Sequence, residues 1–172
     1  MKTQPNTFAI LAMKRPNQDQ IGGLSRYQIG GLSQDQIGWL SQDQREMIEE
    51  KRAELMKEIP TLIKPYTTLW NDIQAETRVF KQSTFGECED FDPELNLCGS
   101  PMCWAGHMVN MGGKEGYELK KKYGWETAAS LMHDKLYPTI SPQNADNIPQ
   151  EWALAYIEYM KDVEAELEEE AK

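Results

Sequence analysis

The chain has 172 residues, 40% of them hydrophobic, and a formal net charge of −10, which suits one domain with a buried core and short appendages. The negative charge argues against a dedicated nucleic-acid-binding protein, because contacts to phosphates need clustered Lys and Arg. No apolar run approaches membrane-spanning length and the number of cysteines is odd, so we expect a cytoplasmic protein that binds neither nucleic acid nor membrane.

Three regions follow one another along the chain. Residues 1–17 carry no regular pattern and are expected to be loose, and residues 18–44 form an octapeptide repeat. Residues 45–172 have the apolar spacing of an α-helical domain. The last helix of that domain is acidic, since residues 151–172 hold eight acidic residues against two lysines.

The repeat reads QDQIGGLSRYQIGGLSQDQIGWLSQDQ, in which one eight-residue unit recurs with small changes. Serine and glutamine stand three residues apart, as in a capping box, which favours the start of a helical turn. The three predicted boxes are Ser25–Gln28, Ser33–Gln36 and Ser41–Gln44. The repeat is therefore predicted to form an arm of short stacked helices, a miniature solenoid.

Each unit of this arm brings only one Ile and one Leu, which is too little apolar surface to fold alone. We therefore expect the arm to dock on the rest of the chain or on a partner protein, with Trp39 as the anchor. The predicted contact residues are Ile29, Leu32, Ile37, Trp39 and Leu40. A duplication without a dedicated role is the other interpretation of such similar copies.

Helical spacing and start and stop signals predict six helices after the repeat. They cover 45–59, 66–82, 101–111, 117–123, 125–137 and a long final helix opened by Pro149. In the final helix, the stripe expected to face the core consists of Trp152, Tyr156, Met160, Val163 and Leu167. No segment alternates with the two-residue period of a strand. The predicted fold class is therefore all-α, an irregular helical bundle.

The cysteines lie close together and precede a histidine, in the order Cys88, Cys98, Cys103 and His107. Four such ligands suit a tetrahedral Zn²⁺, and the last two are one helical turn apart. The order resembles a CCCH zinc finger over 20 residues. The residues between the ligands are acidic, so the resemblance implies a structural zinc and not RNA binding.

The segment CGSPMCWAGH also resembles a helix-start motif of small uncharacterised bacterial and phage proteins, Cys-Gly-Ser/Thr-x-x-Cys-x-Ala-Gly followed by Trp or His. In that interpretation Ser100 caps a helix that begins at Pro101 and stops at Gly112. Ala105 and Gly106 then pack against a neighbouring helix, and Cys103 is a small core residue. This interpretation needs no metal.

A third pattern is the His-Asp pair in AASLMHDK, with a second histidine upstream. It resembles the ligand arrangement of HD-domain metal phosphohydrolases, which use divalent metals to activate water. The resemblance implies His107, His133 and Asp134 as ligands, with Asp162 or Asp146 as the fourth. It competes with the zinc finger for His107.

No complete catalytic constellation or phosphate-binding glycine loop is present in the sequence. The leading hypothesis is therefore a non-enzymatic interaction or regulatory protein of bacterial or phage type. Whether it also holds a structural zinc is left open by the sequence. The first alternative is the HD-type hydrolase. The second is an acidic decoy, whose C-terminal helix imitates the charge of nucleic acid and binds a protein that handles DNA or RNA.

Overall fold

The computed structural model of the chain describes residues 29, 32, 37–86, 101–143 and 148–172. These residues form α-helices and no β-strand, which confirms the all-α prediction. The helices are α1 (Gln42–Glu58), α2 (Pro65–Gln74), α3 (Trp104–Met111), α4 (Gly113–Tyr123), α5 (Trp125–Leu136) and α6 (Gln150–Glu170). The chain has two compact units, Met1–Glu58 and Ile59–Lys172, so α1 belongs to the same unit as the repeat.

Helix α1 begins at Gln42, directly after the serine of the third predicted capping box. The backbone N–H of Ser41 donates to Gln44 Oε1 at 3.0 Å, and the backbone N–H of Gln44 donates to Ser41 Oγ at 3.4 Å. Two N–H groups at this end of the helix therefore find acceptors, as the box requires. The prediction is confirmed at this site. The boxes that begin at Ser25 and Ser33 lie outside the described residues.

Four Ile and Leu residues of the repeat, those within the described residues, are buried together with a residue of α1. We call this group the repeat cluster; it consists of Ile29, Leu32, Ile37, Leu40 and Ile48. The backbone N–H of Leu32 donates to the carbonyl of Ile29 at 3.3 Å, and that of Leu40 donates to the carbonyl of Ile37 at 3.1 Å. The arm thus packs its apolar edge on α1. Trp39, the expected anchor, is 77% exposed.

In the second unit, α2 packs on α6, while α3 packs on both α4 and α5. The prediction that the second helix extends to residue 82 is wrong, because α2 ends at Gln74. The N–H groups of Thr77 and Arg78 fold back to the carbonyl of Asp72, at 2.9 and 3.3 Å. Glu76 between them has a φ of 56°, which no right-handed helix accommodates.

Helix α3 begins three residues later than predicted, at Trp104, with Cys103 as its N-cap residue. The backbone just before it is occupied in other hydrogen bonds. Met102 exchanges hydrogen bonds with the segment from Val79 to Lys81, and the Cys103 N–H donates to the carbonyl of Thr84. Residues so bound cannot adopt the first helical turn.

Gly106 of the helix-start motif lies against the loop that contains Phe85. A Cβ atom on Gly106 would lie 2.2 Å from the carbonyl oxygen of Phe85. Phe85 in turn stacks on Trp125 at the start of α5, with ring centroids 6.2 Å apart. Lys120 is buried, and its Nζ lies 4.7 Å from the centre of the Trp125 ring.

Helix α6 is rotated from the predicted orientation. Its buried residues are Ala153, Ile157, Met160 and Glu164. Of the predicted core stripe only Met160 is fully buried, and Trp152 is 65% exposed. Successive residues lie about 100° apart around a helix. The predicted stripe therefore lies beside the buried one, because most of its residues are one position away from a buried residue.

Candidate functional site

Two of the four predicted zinc ligands, Cys88 and Cys98, lie outside the described residues. Cys103 is buried at the N-cap of α3, and its carbonyl accepts the N–H of His107 at 3.0 Å. The structure therefore places the other two ligands one helical turn apart. The sequence predicted Cys103 within the helix, whereas the structure places it at the N-cap of α3.

The imidazole of His107 is only 2% exposed. Its Nε2 lies 3.3 Å from the carbonyl oxygen of Val79, and its ring stacks on Phe80. Nδ1 is buried without a hydrogen-bond partner among the described residues. Burial, helped by the nearby positive charge of Arg78, lowers the pKa of His107 to about 4. The ring is therefore neutral near pH 7, with one nitrogen open.

His133 has a different environment, in which both ring nitrogens have partners. Nδ1 lies 2.7 Å from the hydroxyl of Tyr66, and Nε2 lies 2.8 Å from the carbonyl oxygen of Ile140. A carbonyl only accepts, so Nε2 carries the proton and the Tyr66 hydroxyl donates to Nδ1. Burial lowers the pKa of His133 as well, which keeps the ring neutral.

The residues implied for an HD-type site do not come together. Asp162 is exposed and pairs with Lys161 at 3.0 Å, and Asp134 is half-buried. The part of the chain that the structure describes contains no group of three or more His, Cys, Asp or Glu able to hold a metal. Asp146 lies outside that part.

His133 instead belongs to a buried network that the sequence did not indicate. The carboxylate of Glu164 on α6 accepts the N–H groups of Tyr66 and Thr67 at 3.0 and 2.7 Å. It also accepts the hydroxyl of Tyr137 at 2.5 Å. Ring contacts join Tyr66 to His133 and Tyr137, with centroids 5.7 and 5.8 Å apart. This Tyr–His–Glu network links α2, α5 and α6.

Glu164 acts as a helix cap supplied by another helix. The N-cap residue of α2, Lys64, provides no side-chain cap, and Pro65 has no N–H. The N–H groups of the next two residues therefore need an external acceptor, and a carboxylate at a helix N-terminus is favourable for charge as well. The start of α2 lacks Ser, Thr, Asp or Asn, and this absence was the sequence signal that its cap comes from another part of the chain.

The tyrosines of the network keep their protons. Burial raises the pKa of Tyr66 well above its ordinary value. It also raises the pKa of the adjoining Tyr156, whose ring centroid lies 5.9 Å from that of Tyr66, to about 12. Burial, together with the hydrogen bond to Glu164, also raises the pKa of Tyr137. A general acid or base works best with a pKa near the operating pH. These hydroxyls are thus suited to holding helices together and not to proton transfer near neutrality.

The most prominent exposed feature of the second unit is on α6. We call it the outer stripe; it consists of the exposed Trp152, Tyr159 and Leu167 and the half-buried Tyr156 and Val163 between them. Trp152 is 65%, Tyr159 54% and Leu167 47% exposed. The spacings of four, three, four and four residues keep these side chains on one side of the helix.

An acidic row runs beside the outer stripe. We call it the acidic ridge; it consists of Glu158, Asp162, Glu166 and Glu170, four residues apart and all exposed. Asp162 pairs with its neighbour Lys161. Within the described residues the three glutamates form no ion pair. The ridge therefore leaves most of its charge uncompensated.

Comparison with known proteins gives no match to a family model, a curated protein or a solved structure. No helix in the described ranges combines the length and the apolar character needed to cross a membrane.

Proposed function

We propose that this chain is a non-enzymatic interaction or regulatory protein and that α6 is its docking helix. The observation that supports this proposal is the outer stripe, three large apolar side chains exposed on one helix that already buries its other face. Scattered single exposed apolar residues are ordinary, whereas a contiguous apolar row bordered by charge is typical of an interaction site.

The surroundings of the histidines favour this proposal over the HD-type hydrolase. Both ring nitrogens of His133 are bound within the fold, and Nε2 of His107 lies near a backbone carbonyl in a separate environment. Metal binding by His133 would require breaking the hydrogen bond at the nitrogen that binds the metal. The polar partner of that nitrogen would lose its hydrogen bond, which costs about 1–3 kcal/mol for a buried group.

Photo-crosslinking tests the proposal in cells that naturally express the chain. Benzoylphenylalanine replaces Trp152 or Tyr159 in the outer stripe, and Ile63, which is 86% exposed in another part of the same unit, serves as the control position. The proposal expects a discrete crosslinked species from both stripe positions and none from position 63. Equal adducts from all three positions, or none from the stripe, would refute it.

A structural zinc is a second proposal, compatible with the first, and the open Nδ1 of His107 supports it. A buried, neutral imidazole nitrogen without a partner is suited to bind a metal, and Cys103 is one turn away. Elemental analysis of the purified chain should find one Zn²⁺ that both Cys103→Ser and His107→Gln abolish, while His133→Gln retains it. Zinc retained in both variants, or absent from the unaltered chain, would refute this site.

The acidic ridge supports the decoy hypothesis only as a variant of the main proposal, in which the partner is a protein with a nucleic-acid-binding surface. The cytoplasmic location and the bacterial or phage origin suggested by the sequence stay predictions.

A further inference from the structure

We propose that the outer stripe and the acidic ridge together dock a basic amphipathic helix of another protein. This inference rests on the proposed function and names its partner class. The partner helix carries an apolar row bordered by Lys and Arg.

The spacing of the outer stripe suits a partner that is itself a helix. From Trp152 to Val163 the outer stripe follows spacings of four, three and four residues, which is the repeat that two helices share when they pack side by side. Helix α6 has 21 residues and is therefore about 31 Å long. A partner helix of about four turns would cover the stripe from Trp152 to Leu167. A flat apolar patch without this register would not favour a helix.

The charge of the acidic ridge suits a basic partner. Like charges four residues apart on a helix repel each other and destabilise it by about 0.2–0.5 kcal/mol per pair. The acidic ridge contains three such pairs in succession, and only Asp162 has a cation beside it. A partner that brings Lys or Arg along this edge would relieve the repulsion and gain ion pairs next to an apolar contact, where solvent screening is weaker.

The charge of the chain opposes a second copy of this chain as the occupant. The chain carries a net charge of −10, and residues 151–172 alone hold eight acidic residues against two lysines. Pairing two α6 helices through their outer stripes would bring two acidic ridges to one interface. Like-charge contacts of this kind oppose association. Charge complementarity therefore favours a basic partner.

Selection from a phage-displayed library of random helical peptides tests the inference with the full chain as target. Enriched peptides should carry an excess of Lys and Arg and apolar residues three or four apart. Their affinity should fall about tenfold or more on Trp152→Ala, since large aromatic side chains dominate such interfaces. It should also fall on the charge reversal Glu158→Lys/Glu166→Lys and with rising salt.

Matched controls separate the surface from general effects. Ile63→Ala removes an exposed apolar side chain elsewhere in the same unit, and Glu49→Lys/Glu50→Lys makes the same charge change on α1. Neither should alter the affinity more than about twofold, because surface substitutions outside a contact have small effects. Circular dichroism of each variant verifies that α6 is still folded.

The outcomes distinguish this inference from the proposed function. Neutral or acidic peptides that still depend on Trp152 would overturn the basic partner and leave the docking helix standing. Selected peptides that are indifferent to Trp152→Ala would overturn both proposals. A dimer in sedimentation that Trp152→Ala dissociates would overturn the inference and identify a second copy as the occupant.

Discussion

Two apolar stripes of this chain have opposite environments. The Ile and Leu residues of the repeat that the structure describes are nearly completely buried and pack with Ile48 of α1. The outer stripe of α6 has larger side chains, yet Trp152 and Tyr159 expose more than half of their surface. The stripe made of small repeated units thus completes a core, and the stripe on the longest helix remains available.

This difference shows that the spacing of an apolar stripe along a helix does not determine whether the stripe is buried. Helical spacing determines which side chains lie on one side of a helix, but the residues that cover this side come from elsewhere in the chain. In the repeat, the covering comes from α1, directly next in sequence. In α6, the face that is covered contains the carboxylate of Glu164, because α2 needs an acceptor at its N-terminus.

Shortening Ile48 tests the buried stripe. Ile48→Ala leaves a cavity in the repeat cluster and should lower the free energy of unfolding of the first unit by about 3–4 kcal/mol. Urea unfolding followed by circular dichroism and by hydrogen exchange in α1 measures this loss. Trp39→Ala, an exposed neighbour of the cluster, is the control and should have little effect. Equal losses from both variants would show that the cluster is not a core.

Removing Glu164 tests the covered face of α6. Glu164→Ala leaves two backbone N–H groups and the Tyr137 hydroxyl without their acceptor, and should cost about 3 kcal/mol in unfolding free energy. Glu168, one turn later, forms an exposed pair with Lys64, so Glu168→Ala should change stability far less. A small effect of Glu164→Ala would place the buried face of α6 elsewhere.

The pH response should separate the two units, because the two histidines of the chain both lie in the second. The folded-state pKa of His107 is about 4, below its ordinary 6.5, so the unfolded chain binds the proton first as the pH falls. The second unit should therefore lose stability between pH 6.5 and 4, by on the order of 2–3 kcal/mol for His107. His107→Phe should flatten this dependence. An unchanged slope in His107→Phe would contradict the burial of a neutral ring.

Glycine substitution compares a packed position with an open one. Gly106→Ala would bring a Cβ atom against the carbonyl of Phe85 and should destabilise the second unit by about 2 kcal/mol. Gly38 in the repeat has no atom near the corresponding position, so Gly38→Ala should be neutral or slightly stabilising. Thermal unfolding of both variants measures the contrast, which disappears if the helix-start motif has no packing role.

Much of the fold could be predicted from local sequence signals. Proline and glycine stops predicted the ends of α1, α3, α4 and α5 to within one residue, whereas α1 begins at Gln42, next to the capping box at Ser41, and not at the predicted residue 45. The start of α3 could not be predicted, because the backbone of Met102 pairs with residues about twenty positions earlier. The Tyr–His–Glu network was missed for the same reason, since Tyr66 and Glu164 are 98 positions apart in the chain.

Helix α6 buries one face and leaves the outer stripe at the surface. Unfolding free energies of Ile157→Ala and Trp152→Ala, measured side by side, test this arrangement most directly. We expect Ile157→Ala to cost about 3 kcal/mol, as a fully buried side chain does, and Trp152→Ala less than about 0.5 kcal/mol. A loss in Trp152→Ala equal to that in Ile157→Ala would contradict the account.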